Sequence, residues 1–259
     1  MKKFKIAFSL LMLGFLLTSC GVTYKKGEIT QDLQALVKKE CGLDSEAVVV
    51  GRTLYLDIII DNLASNDVKI FPQIMHTIQT VNLSVVRVVL SSDSNIQYMV
   101  ATAFDKNRIL AFRVVQNIED IKSYFYMRIS RSDYESRNLV ELVGSSLVPK
   151  IINDKHDITK DEFVGRLIAS QINMMARTNP FYGTLIAQMQ MYYIGIKDKE
   201  LYLLVLGVVD SVVEPIIQDA LQKNFENYVN KYTTSFDVLK AINIEGKIIF
   251  NVSILNSKN

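Results

Sequence analysis

The sequence predicts an α+β fold: two similar strand-helix-strand-strand units with antiparallel or mixed sheets, joined by a more helical middle region. Three observations carry this. Segments rich in branched and aromatic residues flank helical periodicities in the same order near both ends of the chain. The stretch Thr53-Leu54-Tyr55-Leu56 matches Glu200-Leu201-Tyr202-Leu203 closely enough to set the two units in phase. Between them the period is helical. Such a pattern fits an internal duplication, and it also fits convergence on a common α/β layer.

The elements follow in order. Thr30 to Cys41 reads as a short helix with Leu33, Leu36, Val37 and Cys41 on one side, and Gly42 can supply a left-handed cap. Thr53–Ile60 reads as a strand. A helix follows on Phe71, Ile74, Met75, Ile78 and Val81, with Pro72 confined to its first turn. Val85 to Leu90 and Tyr98 to Phe104 then read as strands, as do Arg108 to Val115 and Tyr124 to Ile129.

In the middle region, Ser132 with Glu135 is positioned to cap a helix running through Val143. Thr159 with Glu162 marks a clearer start, because Ile158 and Phe163 occupy the two positions of a hydrophobic staple. Asn179-Pro180 stops that helix. Tyr192 to Ile196 and Leu201 to Leu206 form a hairpin around Lys197-Asp198-Lys199-Glu200. Ser211 with Glu214 caps a helix whose stripe is Ile216, Ile217, Ala220, Leu221 and Phe225. Strands at Val238 to Ile242 and Lys247 to Ile254 close the chain, turning at Glu245-Gly246.

The amino terminus carries the sharpest signal. Three lysines lie within Met1 to Lys5, Ile6 to Leu17 is predominantly apolar, and Leu17-Thr18-Ser19-Cys20 closes the segment with small residues before a cysteine. That order reads as a secretory signal. Twelve residues of helix span about 18 Å, short of the roughly 30 Å hydrocarbon layer. The four closing residues resemble the lipobox of bacterial lipoproteins. The resemblance covers less than a tenth of the chain and implies cleavage before Cys20, whose thiol carries acyl chains such as palmitate. Gly21 in place of an aspartate implies, by the same resemblance, the outer membrane, with the body facing the periplasm. The division is then 1–19 cleaved signal peptide, 20–29 lipidated anchor and short tether, 30–130 first unit, 131–184 helical connector and 185–259 second unit.

Cleavage changes the charge balance. The precursor holds 29 basic and 27 acidic residues; losing Lys2, Lys3 and Lys5 leaves 26 basic residues, a formal charge near −1. No broad basic field remains to bind nucleic acid, and Lys25-Lys26 reads as a solvated tether beside lipid headgroups. With Cys20 acylated, Cys41 has no intramolecular partner and reads as a buried free thiol.

Chemistry-bearing motifs are sparse. The chain has two histidines, of which His76 falls on the polar side of its helix and His156 in the loop Asn153-Asp154-Lys155-His156-Asp157, expected to be solvated. No nucleophile elbow, paired-histidine zinc helix, phosphate loop or calcium loop occurs, so the sequence assigns no catalytic residue, no metal site and no cofactor. Asp57 and Asp61 are the best local carboxylate pair, with Asp57 expected on a solvent face and Asp61 beginning a turn. Tyr124, Tyr126 and Arg128, alternating along a strand, form the one candidate interaction surface.

The sequence therefore points to a noncatalytic envelope lipoprotein, bound to the lipid membrane through acylated Cys20, that binds or positions another envelope component, expected to be a protein. An envelope hydrolase built from distant residues and a small-solute-binding lipoprotein are the alternatives.

Overall fold

The computed structural model describes residues 24–61, 63, 71–107, 110–144, 154–178, 183–186 and 188–254. The predicted signal peptide and Cys20 lie outside them. The fold is α+β, with two sheet-containing lobes separated by helices. Helix α1 (Ile29–Cys41) precedes strands β1 (Ser45–Val50) and β2 (Thr53–Ile60), helix α2 (Phe71–Leu90), and strands β3 (Tyr98–Asp105) and β4 (Leu110–Asn117). Short helices α3 (Ile118–Phe125) and α4 (Arg131–Ser136) lead to β5 (Leu139–Gly144). The second lobe comprises α5 (Lys160–Thr178), α6 (Gly183–Ile186), β6 (Met189–Lys197), β7 (Glu200–Gly207), α7 (Glu214–Tyr232), β8 (Val238–Ile242) and β9 (Ile248–Ser253).

Sheet 1 has the order β1-β2-β3-β4-β5 and sheet 2 the order β6-β7-β8-β9. In each, an antiparallel hairpin is followed by a helical crossover to a parallel strand and then a second antiparallel pair. A long helix precedes each hairpin and packs on the crossover helix: α1 on α2, α5 on α7. The repeated pattern, helix-strand-strand-helix-strand-strand, is therefore one helix and one strand longer than the four-element unit the sequence suggested.

The layers stack as helices, sheet, helices, sheet. Helices α1 and α2 cover one face of sheet 1 in a core of Leu33, Val37, Leu54, Leu56, Val81, Val85 and Met99. Helices α5 and α7 fill the space between the sheets, where Tyr55, Val100, Val115 and Leu139 of sheet 1 share a second core with Leu201, Leu203, Leu239 and Phe250 of sheet 2. Gly165 permits the close approach of α5 to sheet 2, since a Cβ there would lie 2.6 Å from the Tyr193 ring and 2.8 Å from Leu201.

Local signals explain several of these elements. Gly42 caps α1 in the left-handed conformation, donating to the Lys38 carbonyl. Asp198 and Lys199 both take positive φ in the β6–β7 turn, the geometry of a two-residue hairpin. Ile158 and Phe163 are both buried as a staple, and Thr159 accepts a hydrogen bond from the Glu162 backbone amide. The start of α7 differs from expectation: it has no side-chain cap, and Asp210 rather than Ser211 receives the Val212, Val213 and Glu214 amides.

Three segments correct the sequence reading. Val85 to Leu90 is the last part of α2, because Val81, Val85, Val88 and Val89 recur on one helical face and are buried there. Burial overrides the strand preference of branched residues. The helix expected through Val143 stops at Ser136, and Leu139–Gly144 instead becomes the edge strand β5. Tyr124 to Ile129 is not a strand; Ile118–Phe125 is helical, with Asn117 accepting from the Glu119 amide as its cap. The body also begins earlier than Thr30, because Tyr24 bridges to Ser92 and the Lys26 amide donates to Asp93 at 2.6 Å.

Candidate functional site

Three regions carry groups available for chemistry or binding, beginning with a polar row inside sheet 1. Strand register aligns Glu46, Asp57, Thr102, Arg113 and Glu141 across all five strands. It runs beside the apolar row of Tyr55, Val100, Val115 and Leu139 on the same face. The segment from Asp154 to Ile158 and the first turns of α5 close over it. Lys155 Nζ pairs with Asp57 at 2.6 Å, and Arg166 holds Glu141 through both oxygens at 2.8 Å and Glu162 at 3.2 Å. His156 joins Asp154 through Nδ1 at 3.0 Å and Glu162 through Nε2 at 2.9 Å.

This corrects two expectations. Asp57 is paired and only 12% exposed, not on a solvent face. The His156 loop is docked: Tyr55 donates its hydroxyl to the His156 carbonyl at 2.7 Å, and Asp157 accepts the Arg52 amide at 2.8 Å. Asp61 begins a turn as expected, and His76 is exposed.

Cations of the covering segment meet the two partly buried carboxylates of this row, Lys155 at Asp57 and Arg166 at Glu141. Desolvation opposes the Arg166 charge, but Glu141 and Glu162 hold its pKa above the ordinary arginine value. Burial, helped by the nearby Arg166 charge, lowers that of Arg113. The Arg113 Nε has no hydrogen-bond partner, and its guanidinium lies 5.9 Å from the Tyr55 ring centre. Asp57 and Glu141 are three strand spacings apart, about 14 Å, beyond the roughly 5–9.5 Å between the carboxyls of glycosidases. His156 points its two nitrogens at different carboxylates, and among the described residues no cluster of three His, Cys, Asp or Glu side chains could hold a metal. The arrangement fastens the lobes together and sets Asp57, Glu141 and Glu162 each against a lysine or arginine. Arg113 and Glu141, which the sequence reading missed, are each a single charge within an apolar strand, and that isolation was their only signal.

A second fastening lies at the other side of the lobe contact. Asp120, buried on α3, accepts from Arg137 at 2.6 Å and from the Tyr232 hydroxyl. Tyr228 donates to the Ser136 carbonyl at 2.7 Å, and Lys231 reaches Asp133 at 2.6 Å. Burial pushes the Tyr228 hydroxyl up to about 12. The Arg137 and Lys231 cations beside Asp133 hold its carboxyl below its usual value, against the desolvation that opposes them.

The second region is the predicted aromatic surface, which the fold rearranges. Tyr124 stacks on Tyr134 with ring centres 4.6 Å apart, whereas Tyr126 is exposed with the Arg128 guanidinium 5.4 Å from its ring centre. Helix α3 ends in a Schellman turn: the Arg128 amide donates to the Ser123 carbonyl and the Met127 amide to that of Tyr124. Met127 occupies the left-handed position with φ 55° and is 92% exposed. Phe125, Tyr126 and Met127 thus form an exposed apolar tip, of which the sequence reading had named only Tyr126.

The third region is the outer face of sheet 2. Tyr192, Leu204, Ile242 and Ile248 are successive cross-strand neighbours over all four strands. Gln190 and Leu206 pair in the next row, and Ile194 is exposed at the β6 bulge. Leu204 and Ile242 are half-exposed, and Tyr192, Leu206 and Ile248 are exposed. Helices α5 and α7 both lie against the opposite face. The sheet edges, by contrast, are partly occupied by side chains. Asn173 exchanges two 2.8 Å hydrogen bonds with the Met191 backbone on β6, while Gln218 and Gln222 donate to the Asn251 and Ser253 carbonyls on β9.

An open depression of about 510 Å³ also occurs, lined by Lys223, Glu226, Asn227, Asn230 and Lys231. All five come from one face of α7, so no second element converges on it. Cys41 is half-buried against the first core, and burial raises its thiol pKa, which disfavours the reactive thiolate. Among the described residues, no helix is long and apolar enough to cross a membrane. The chain matches no protein-family model, no curated protein and no solved structure.

Proposed function

We propose that this protein is a noncatalytic envelope lipoprotein, held to the lipid bilayer by acylated Cys20 on the periplasmic side of the outer membrane, whose second sheet docks another envelope protein. One observation carries the docking part: the row Tyr192-Leu204-Ile242-Ile248, with Leu206 beside it, is apolar on the open face of a sheet. Sheets with one solvated face ordinarily place polar residues there, and a contiguous exposed apolar patch marks an interaction site. A protein occupant suits the patch because Glu200, Tyr202 and Lys240 form an ion-paired polar border on the same face, with Nζ to Oε1 at 2.6 Å. An apolar centre beside a polar rim is the anatomy of a protein interface.

The pairing of the internal carboxylates with cations supports the noncatalytic part. The anchor rests on the lipobox-like sequence, and two acyl chains suffice for stable membrane attachment where one is marginal.

The test is chemical cross-linking of the full-length protein in its native envelope, with Cys20→Ser as the control and intact mass measured after detergent extraction. The expected result is a mature chain carrying acyl mass and one reproducible protein neighbour that disappears in Cys20→Ser. An unlipidated wild-type chain contradicts the anchor; only nonspecific neighbours, with turnover of an envelope substrate by the purified protein, contradict the docking role.

A further inference from the structure

We propose that the apolar tip Phe125-Tyr126-Met127 inserts into the headgroup region of the same bilayer that holds Cys20. This inference rests on the lipid anchor proposed above.

Chain geometry places the tip at the membrane. Tyr24 is fixed to the body by its bridge to Ser92 and by its amide hydrogen bond to the Ser91 carbonyl. Cys20 precedes it by four residues, so the anchored sulfur's backbone lies within about 14 Å of Tyr24. The 91–97 segment that receives Tyr24 also receives the start of α3, since the Ile118 amide donates to the Gln97 carbonyl at 2.9 Å. Tyr24 and α3 therefore share the end of sheet 1 at which β3 begins and β4 ends. From Ile118 to Phe125 the helix advances only about 10 Å. A tether this short does not let the body swing far from the lipid surface.

The tip's composition fits that position. Tyr126 is exposed and joins an apolar ring to a polar hydroxyl, the combination that favours the headgroup level, and exposed Phe125 adds apolar ring surface beside it. Arg128 lies beside the Tyr126 ring, and Lys25 and Lys26 are exposed at the anchored end, where anionic headgroups attract cations. Met127 adds a further observation. Its left-handed backbone is one that glycine adopts without cost. A large apolar side chain occupies it instead and makes almost no contact with the rest of the protein. Folding does not reward that choice; insertion into lipid does.

The test uses the absence of tryptophan from the sequence. Full-length lipidated Met127→Trp, Tyr126→Trp and Ile244→Trp proteins are each reconstituted into phosphatidylethanolamine–phosphatidylglycerol vesicles, with and without lipids brominated near the top of the acyl chain. Intact mass establishes acylation in every sample. The expected result is at least a two-fold loss of emission from Met127→Trp and Tyr126→Trp with brominated lipid, and no loss from Ile244→Trp on the second lobe. Acylated protein in which all three tryptophans are equally unquenched overturns the insertion while leaving the anchor intact. Absence of acyl mass overturns both.

Discussion

The two sheets share an order of elements and differ in what covers them. In sheet 1, every residue of β3 is buried, and of all residues in β2, β3 and β4 only Ile59 is exposed. In sheet 2, β7 and β8 alternate strictly between buried and less buried positions through Leu206, since one face is sealed by α5 and α7 and the other is open. The layers account for the difference: the helices of the second lobe cover the second face of sheet 1, and no further described layer covers sheet 2. Similar apolar residues therefore serve as core in one sheet and as surface in the other.

Equivalent substitutions on the two sheets sharpen this comparison most. Val100→Lys places a charge between sheet 1 and α5 with no partner, and is expected to cost about 4 kcal/mol or more. Leu206→Lys on the open face is expected to change stability by about 0.5 kcal/mol or less. Urea unfolding followed by circular dichroism distinguishes them, and similar losses would show that the outer face of sheet 2 is covered.

Alkali should act next, through the inter-sheet core. Burial pushes the hydroxyls of Tyr98 and Tyr228 up to about 12, whereas in the unfolded chain they ionise near 10. Because the folded values are raised, their contribution is complete below pH 10 and is lost as pH rises toward 12. Thermal midpoints should fall across that interval, and Tyr228→Phe should flatten the fall.

Gly165→Ala tests the contact between α5 and sheet 2. The added methyl meets the Tyr193 ring and Leu201, and overpacking of this kind costs about 1–3 kcal/mol. A smaller effect of opposite sign is expected at the tip: Met127→Gly removes the left-handed strain and should stabilise the purified protein by about 1 kcal/mol. Both are read from urea midpoints at constant slope.

Much of this architecture was legible in the sequence because the signals were local. The Asp198-Lys199 turn, the Gly42 cap, the Ile158–Phe163 staple and the Ile217-Leu221-Phe225 stripe all declare themselves within a few residues. Val85 to Leu90 did not, because a valine-rich run favours a strand until a sheet is present to bury one helical face. Tyr124 to Ile129 misled through its alternation, although Asn117 ahead of Glu119 and Asp120 was a usable helix-start signal. The charged row across sheet 1 depends on strand register, which brings Asp57, Arg113 and Glu141 together from 84 residues of separation. No local pattern contains that information. The open face of sheet 2 was equally hidden, because Leu204 and Ile242 look like any core residues until the position of the helices is known.

The most direct test of the proposed role compares two positions in the same living envelope. A photo-cross-linking amino acid is placed at Leu206 on the open sheet face and, separately, at Lys223 on the exposed side of α7. Leu206 is expected to capture one reproducible protein partner and Lys223 none. Equal capture from both positions, or capture of that partner from Lys223 alone, would contradict docking on the second sheet.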